Sequence, residues 1–156
     1  MTDDLERLVV LANVAATLVM VGLIWFVQVV HYRQFNLVGE ERFIAYEAAH
    51  VRATGRVVGL PMLVELITSG LLAWQPPMAE LGVACRVGLA LVAANWASTA
   101  LLQVPCHDAL GRYFDPAVHR RLVRTNWIRT AAWSLRGVLM LYVLERLLAG
   151  RHVSVG

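Results

Sequence analysis

Five residues in this sequence could do chemistry together: His31, Glu47, His50, His107 and Asn126, with His119 a looser member. Glu47-Ala48-Ala49-His50 sets a carboxylate and an imidazole one helical turn apart, the ExxH spacing used in bundle dimetal sites. Such sites also need a second ExxH and two more carboxylates, and residues 120–130 contain no Asp or Glu to supply them. A single transition metal held by His31, His50 and His107 with one open position fits better, as would a haem with axial imidazoles. The same groups could instead pass protons without a metal, or serve only as interfacial histidines bonded to headgroups and loops.

Glu65 and Arg136 stand out by their depth in apolar sequence. A charge at the membrane centre costs about 2.5–3.5 kcal/mol on insertion scales, so each needs a partner or a wet cavity. One reading pairs them structurally. The other makes Glu65 a proton carrier and lets Arg136 or Arg129 hold a substrate oxygen. Trp25, Trp96, Trp127 and Trp133 serve equally as packing residues or as walls for a flat substrate, and Trp74 fits an interface anchor. The sequence holds no GxGxxG, Walker loop, GxSxG or HExxH, so nucleotide binding and the familiar hydrolases lack support.

The elements that must position these residues follow from hydropathy. The chain has 156 residues, enough for one domain, and its 58% hydrophobic content exceeds the roughly 45–50% of soluble domains. Residues 8–30 form an uncharged run long enough to cross a bilayer, and 57–74, 87–104 and 128–148 follow as three more spans. The expected fold is therefore an all-α bundle of four transmembrane helices. All 14 basic residues are arginines spread along the chain, which argues against a nucleic-acid surface. Cys85 and Cys106 flank the third span, too far apart to pair.

Helical periodicity sharpens the picture. Residues 39–56 run into the second span without a break, and Glu47, His50, Thr54, Pro61 and Glu65 fall within an arc of about 60° on one face. Asn126, Trp133, Gly137 and Met140 share an arc on the fourth span, with Arg129 and Arg136 along its edge. Such stripes should face the bundle interior. A shift of 76 positions also brings His31 onto His107 and His50 onto Asn126, which suggests two tandem helical hairpins.

Val104-Pro105-Cys106-His107-Asp108-Ala109-Leu110, followed by Asn126-Trp127-Ile128-Arg129-Thr130, resembles the second half of the anthrone oxygenase-like family of small four-span membrane proteins. The resemblance implies a four-helix membrane fold and, in the named fungal members, oxidation of a flat polycyclic phenolic carbon by oxygen. Asn126, Arg129 and Thr130 match the family pattern and carry over as site candidates. His107 stands where the family has Asn, and Trp127 where it often has His.

The leading expectation is a membrane oxidoreductase or oxygenase acting on a lipophilic aromatic or quinone-like molecule near the cytoplasmic face. In it His31, His50 and His107 bind a metal or shuttle protons, Glu47 or Glu65 acts as base, and Asn126 and Arg129 orient a substrate oxygen. The alternatives are a non-catalytic membrane subunit or haem-binding partner, and a cofactor-free isomerase or cyclase using Glu65. Membrane lipids and the lipophilic substrate are the expected partners, and a homo-oligomer is left open.

The two longer connections, 31–56 and 105–127, hold Arg33, Arg42, Arg52, Arg56, Arg112, Arg120, Arg121 and Arg124, against Arg7, Arg86, Arg146 and Arg151 at the opposite face. The positive-inside rule places those connections in the cytoplasm and both termini outside the cytoplasmic membrane. In a background lacking the native cysteines, Ala79→Cys should react with an impermeant thiol reagent from outside and Arg112→Cys should not; the reverse pattern overturns the topology.

Overall fold

The computed structural model describes the backbone of residues 2–153 and the side chains of residues 2–150, so the Arg151 side chain lies outside it. Among the described residues all regular structure is helical, in four rods: α1 (Asp3–Leu37), α2 (Glu40–Trp74), α3 (Ala79–Leu110) and α4 (Pro116–Val153). The first three are long and apolar enough to cross a membrane. The fourth, although the longest at 38 residues, is not in that class; Arg129 and Arg136 interrupt its apolar stretch.

The rods extend well past the apolar stretches. Residues 40–56 continue α2 as expected, 31–37, 105–110 and 116–127 are helical too, and the chain leaves helical geometry between rods only at 38–39, 75–78 and 111–115. The local reasons are legible. Glu40 and Glu41 place acid at the positive end of α2. At the start of α4, Asp115 accepts from the Ala117 amide at 2.7 Å, and Pro116 occupies a first-turn position where its missing N–H costs nothing. Pro76 and Pro77 follow the end of α2, as expected of residues that cannot continue a helix.

The four rods form a ring in chain order, α1 beside α2 and α4, and α3 beside the same two. The interior is layered. Val10, Val14, Leu72, Leu81, Cys85 and Val143 fill one end, Met20, Ile24, Met62 and Trp133 the middle, and Phe35, Phe43, Cys106, Leu110 and Leu122 the other end. Both cysteines are buried and unpaired. Between the first two apolar layers sits a polar one. Arg136, fully buried, donates to Glu65 Oε1 at 3.0 Å, Gly88 O at 2.7 Å, Asn13 Oδ1 at 2.8 Å and Ser69 Oγ at 2.7 Å. Trp133 Nε1 donates to the second Glu65 oxygen at 2.9 Å. The expected pairing of Glu65 with Arg136 is thus present, inside a network that reaches all four helices.

Outside, the pattern inverts. Leu18, Leu60, Ile67, Val83, Leu101, Leu135 and Val138 are exposed, while Asn13, Gln28, Glu47, Asn95, Asn126 and Arg136 are buried. Apolar outside and polar inside suits a hydrocarbon solvent.

Leaving one member of a buried ion pair alone costs about 3–5 kcal/mol, whereas replacing both members is often close to neutral. Arg136→Met should therefore destabilise the detergent-solubilised protein strongly, and Glu65→Leu added to it should recover much of the loss, since Asn13 Nδ2 still donates to Thr68 and Ser69. Unfolding in a denaturing-detergent titration checks this; a double variant no more stable than Arg136→Met would contradict it.

Candidate functional site

The second polar layer lies at the opposite end of the interior, and an irregularity in the helices builds it. Both α1 and α3 contain a five-residue π-helical segment, Val27–His31 and Thr99–Gln103. A π segment accommodates one extra residue, so the helix beyond it is rotated by about 100° relative to an unbroken α-helix. Ile24, Gln28 and Tyr32 share the inward face at i, i+4 and i+8, the π segment turns Tyr32 further toward the middle of that face, and all three are buried.

Two short hydrogen-bonded lines meet there. Glu47, on α2, bonds His107 Nδ1 of α3 at 2.5 Å, and His107 Nε2 bonds the Tyr32 hydroxyl at 3.0 Å. With Glu47 ionised, Nδ1 carries the proton toward the carboxylate and Nε2 accepts from the Tyr32 O–H. His119 Nε2 donates to the Tyr32 carbonyl at 2.7 Å and stacks on Phe35, which fixes the Tyr32 backbone from α4. The second line joins His31 Nε2 to His50 Nδ1 at 2.8 Å, with Thr54 Oγ1 3.1 Å from the same nitrogen. The His50 ring lies 4.7 Å from that of His31 and 5.2 Å from that of His107, centre to centre.

α4 closes the site. Arg129 is buried, donates to Asn126 Oδ1 at 3.2 Å and lies over the Trp133 ring at 5.1 Å; it is also close enough to Tyr32 to act on its oxygen electrostatically. Asn126 in turn donates to Gln28 Oε1 at 2.8 Å, so both ends of its amide are engaged by side chains of the bundle. A cavity of about 130 Å³ opens beside these groups. Tyr32, His50, Thr54, Gln103, His107 and Arg129 supply its polar wall, and Met20, Leu23, Ile24 and Val58 its apolar one. Glu47 Oε2, Gln103 Oε1 and Arg129 Nε are buried with no hydrogen-bond partner in the protein.

The sequence-derived set therefore separates in two. His50, His107 and Arg129 line one cavity, and His31, Glu47 and Asn126 are hydrogen-bonded to them from behind. Glu65 and Arg136 belong to the other polar layer and line none of the described cavities; Trp133, bonded to Glu65 and facing Arg129, is the link between them. No family model, curated protein or solved structure matches this chain. The three imidazoles converge as expected, but their donor atoms do not suit a shared metal. His31 and His50 turn nitrogens toward each other at hydrogen-bond distance, and both nitrogens of His107 are taken by Glu47 and Tyr32. Among the described residues no group of three or more His, Cys, Asp or Glu could hold a metal ion.

Tyr32 and Gln103 escaped the sequence reading. A tyrosine next to His31 at a membrane border reads as an interface residue, although its i+4 spacing from Gln28 puts it near the inward face that the π segment completes. In the sequence Gln103-Val104 matches Gln28-Val29 of the other half after a one-residue gap, but that match gave Gln103 no role. Both glutamines are buried and reach from their π segments to α4, at Thr125 Oγ1 and Val123 O.

At 2.8 Å one of the facing His31 and His50 nitrogens must accept, so the pair cannot carry protons on both. In ¹⁵N-histidine NMR at neutral pH, one facing nitrogen should show the unprotonated shift, and acid that protonates both rings should separate them. Two protonated facing nitrogens with the ring contact intact would contradict this.

Proposed function

We propose that the protein is a multi-pass enzyme of the cytoplasmic membrane that moves protons to and from an oxygen-bearing lipophilic molecule. The observation that carries this reading is the line Glu47–His107–Tyr32, which ends on a mostly apolar cavity beside Arg129. It has the form of an acid–base device: a reacting hydroxyl, an imidazole that takes its proton, and a carboxylate that fixes the imidazole tautomer. As Tyr32 passes its proton to His107 Nε2, its oxygen can accept a proton from the ligand, and the buried carboxylate stabilises the imidazolium formed. Arg129, held by Asn126 and Trp133, faces the charge that develops on oxygen. Asn126 is a positioning residue in this scheme.

Three helices long and apolar enough to cross a membrane support the membrane half of the reading, and we take α4 as the fourth span. The arginines that lower the hydropathy of α4, Arg129 and Arg136, are buried, while Leu135, Val138 and Leu141 face outward. Within the proposal we retain the oxidoreductase or oxygenase class. Loss of a proton from a phenol or activated ring carbon leaves an electron-rich anion, and dioxygen or another acceptor from outside the chain would take its electrons. The resemblance of residues 104–130 to the anthrone oxygenase-like family points the same way. An isomerase built on Glu65 has less support, because both Glu65 oxygens already accept from Arg136 and Trp133. A haem subunit has less again, since a porphyrin needs far more room than about 130 Å³.

General acid–base groups contribute about 10²–10⁴-fold to rate. Dioxygen uptake by the protein in nanodiscs, with lipophilic phenols and hydroquinones of one to three rings, should fall by about 100-fold or more in Tyr32→Phe and in His107→Gln. Wild-type turnover in a folded Tyr32→Phe protein would remove the proposal.

A further inference from the structure

The room beside Tyr32 sets the size of what can react there. The cavity measures about 130 Å³, close to the engineered cavity of about 150 Å³ that takes up benzene. One six-membered ring fills it, and the further rings of a fused three-ring system would have to lie outside it.

Its open side sets the direction of approach. Val51 and Gly55 of α2 and Val104 of α3 line the cavity and are themselves exposed, so the mouth lies between α2 and α3. These residues flank the inner ends of the apolar stretches 57–74 and 87–104, which puts the mouth at the border of the hydrocarbon and not in bulk water. Gly55 sits inside a regular helix with no positive φ to require glycine, and a Cβ added there meets nothing within 4 Å. Glycine inside a helix is destabilising relative to alanine, so the position costs stability without any packing reason. What its absent side chain does is leave the mouth clear.

The closed end is polar. Arg129 Nε and Gln103 Oε1, both in the cavity wall, lack partners in the protein, and Tyr32 and His107 stand beside them. A donor and an acceptor left unmatched at the end of an apolar slot suit a ring that carries oxygen.

We propose that the site takes a single-ring phenol, quinol or quinone bearing a hydrocarbon chain. The ring oxygen lies against Tyr32, His107 and Arg129, and the chain leaves past Gly55, between α2 and α3, into the bilayer. The inference rests on the membrane and proton-transfer reading above, and goes beyond it by assigning a single ring in place of the polycyclic substrates that the family resemblance implies.

The test uses radiolabelled 4-dodecylphenol and the full chain in nanodiscs, corrected for uptake by empty nanodiscs. Wild type should bind it saturably, and anthrone, with three fused rings, should not displace it. Gly55→Trp should weaken binding about tenfold or more while the unfolding temperature stays at or above the wild-type value, because the position is exposed, its Cβ meets open space and glycine is the poorer helix former. Displacement by anthrone as effective as by unlabelled dodecylphenol, or a Gly55→Trp protein that binds like wild type, overturns the inference. Absence of saturable binding to wild type overturns it as well. Dioxygen uptake with the three-ring compound then reports separately on the proton-transfer reading, which survives if Tyr32→Phe abolishes that turnover.

Discussion

Arg136 is a full charge in an apolar interior, and every other helix answers it. Asn13 comes from α1, Glu65 and Ser69 from α2, and the Gly88 carbonyl from α3. Each contact is short and directional, so the rotation and depth of all four helices are set together. Gly88 is part of the same constraint: a Cβ there would stand 3.1 Å from Arg136 Nη1, so the guanidinium reaches the carbonyl only past a bare backbone. Packing among leucines and valines tolerates sliding and rotation in a way that a guanidinium with a fixed fork of donors does not.

The second polar layer inherits its geometry from the first through Trp133. That indole donates to Glu65 on one side and carries Arg129 against its face on the other. Arg129 then meets Asn126, Asn126 meets Gln28, and the chain of contacts returns to α1 at its π segment. The two layers differ in their degree of satisfaction. In the Arg136 layer both carboxylate oxygens and the Nε, Nη1 and Nη2 nitrogens have partners, whereas around the cavity Glu47 Oε2, Gln103 Oε1 and Arg129 Nε have none in the protein. A saturated network in a low dielectric specifies one arrangement, and unsatisfied groups in the same environment are what a ligand can match.

The halves of the chain share a plan. Each has a helix with a π segment near its end, a buried glutamine in that segment, a short turn, and a second helix that supplies acid–base or cationic groups. The equivalence is one of backbone and not of chemistry. Glu47, His50 and Glu65 lie on α2, while Asn126, Arg129 and Arg136 lie on α4, so acid and imidazole from one half face amide and guanidinium from the other. Two copies of a single half would set like groups against like in both layers.

Composition and periodicity alone determined the helical class, the apolar stretches of all four rods and the inward faces of α2 and α4. A membrane-spanning helix must satisfy its backbone internally and must hide its charges, so both rules can be read directly from the order of residues. The same reasoning placed Glu65 beside Arg136 and brought His31, His50 and His107 to one end of the bundle. It read 39–56 as a continuation of the second helix, but it did not show that 31–37, 105–110 and 116–127 are helical as well, because amphipathic sequence outside an apolar stretch has no signature that separates a helical extension from a loop. Nor could it tell a metal site from a hydrogen-bonded line, since that difference is one of ring rotation and of which neighbour reaches each nitrogen. Tyr32 shows the limit most clearly. Its i+8 spacing from Ile24 brings it near the inward face, but the partners of its hydroxyl and carbonyl follow from an extra residue in a turn of α1 and from packing against α3 and α4, neither of which periodicity shows.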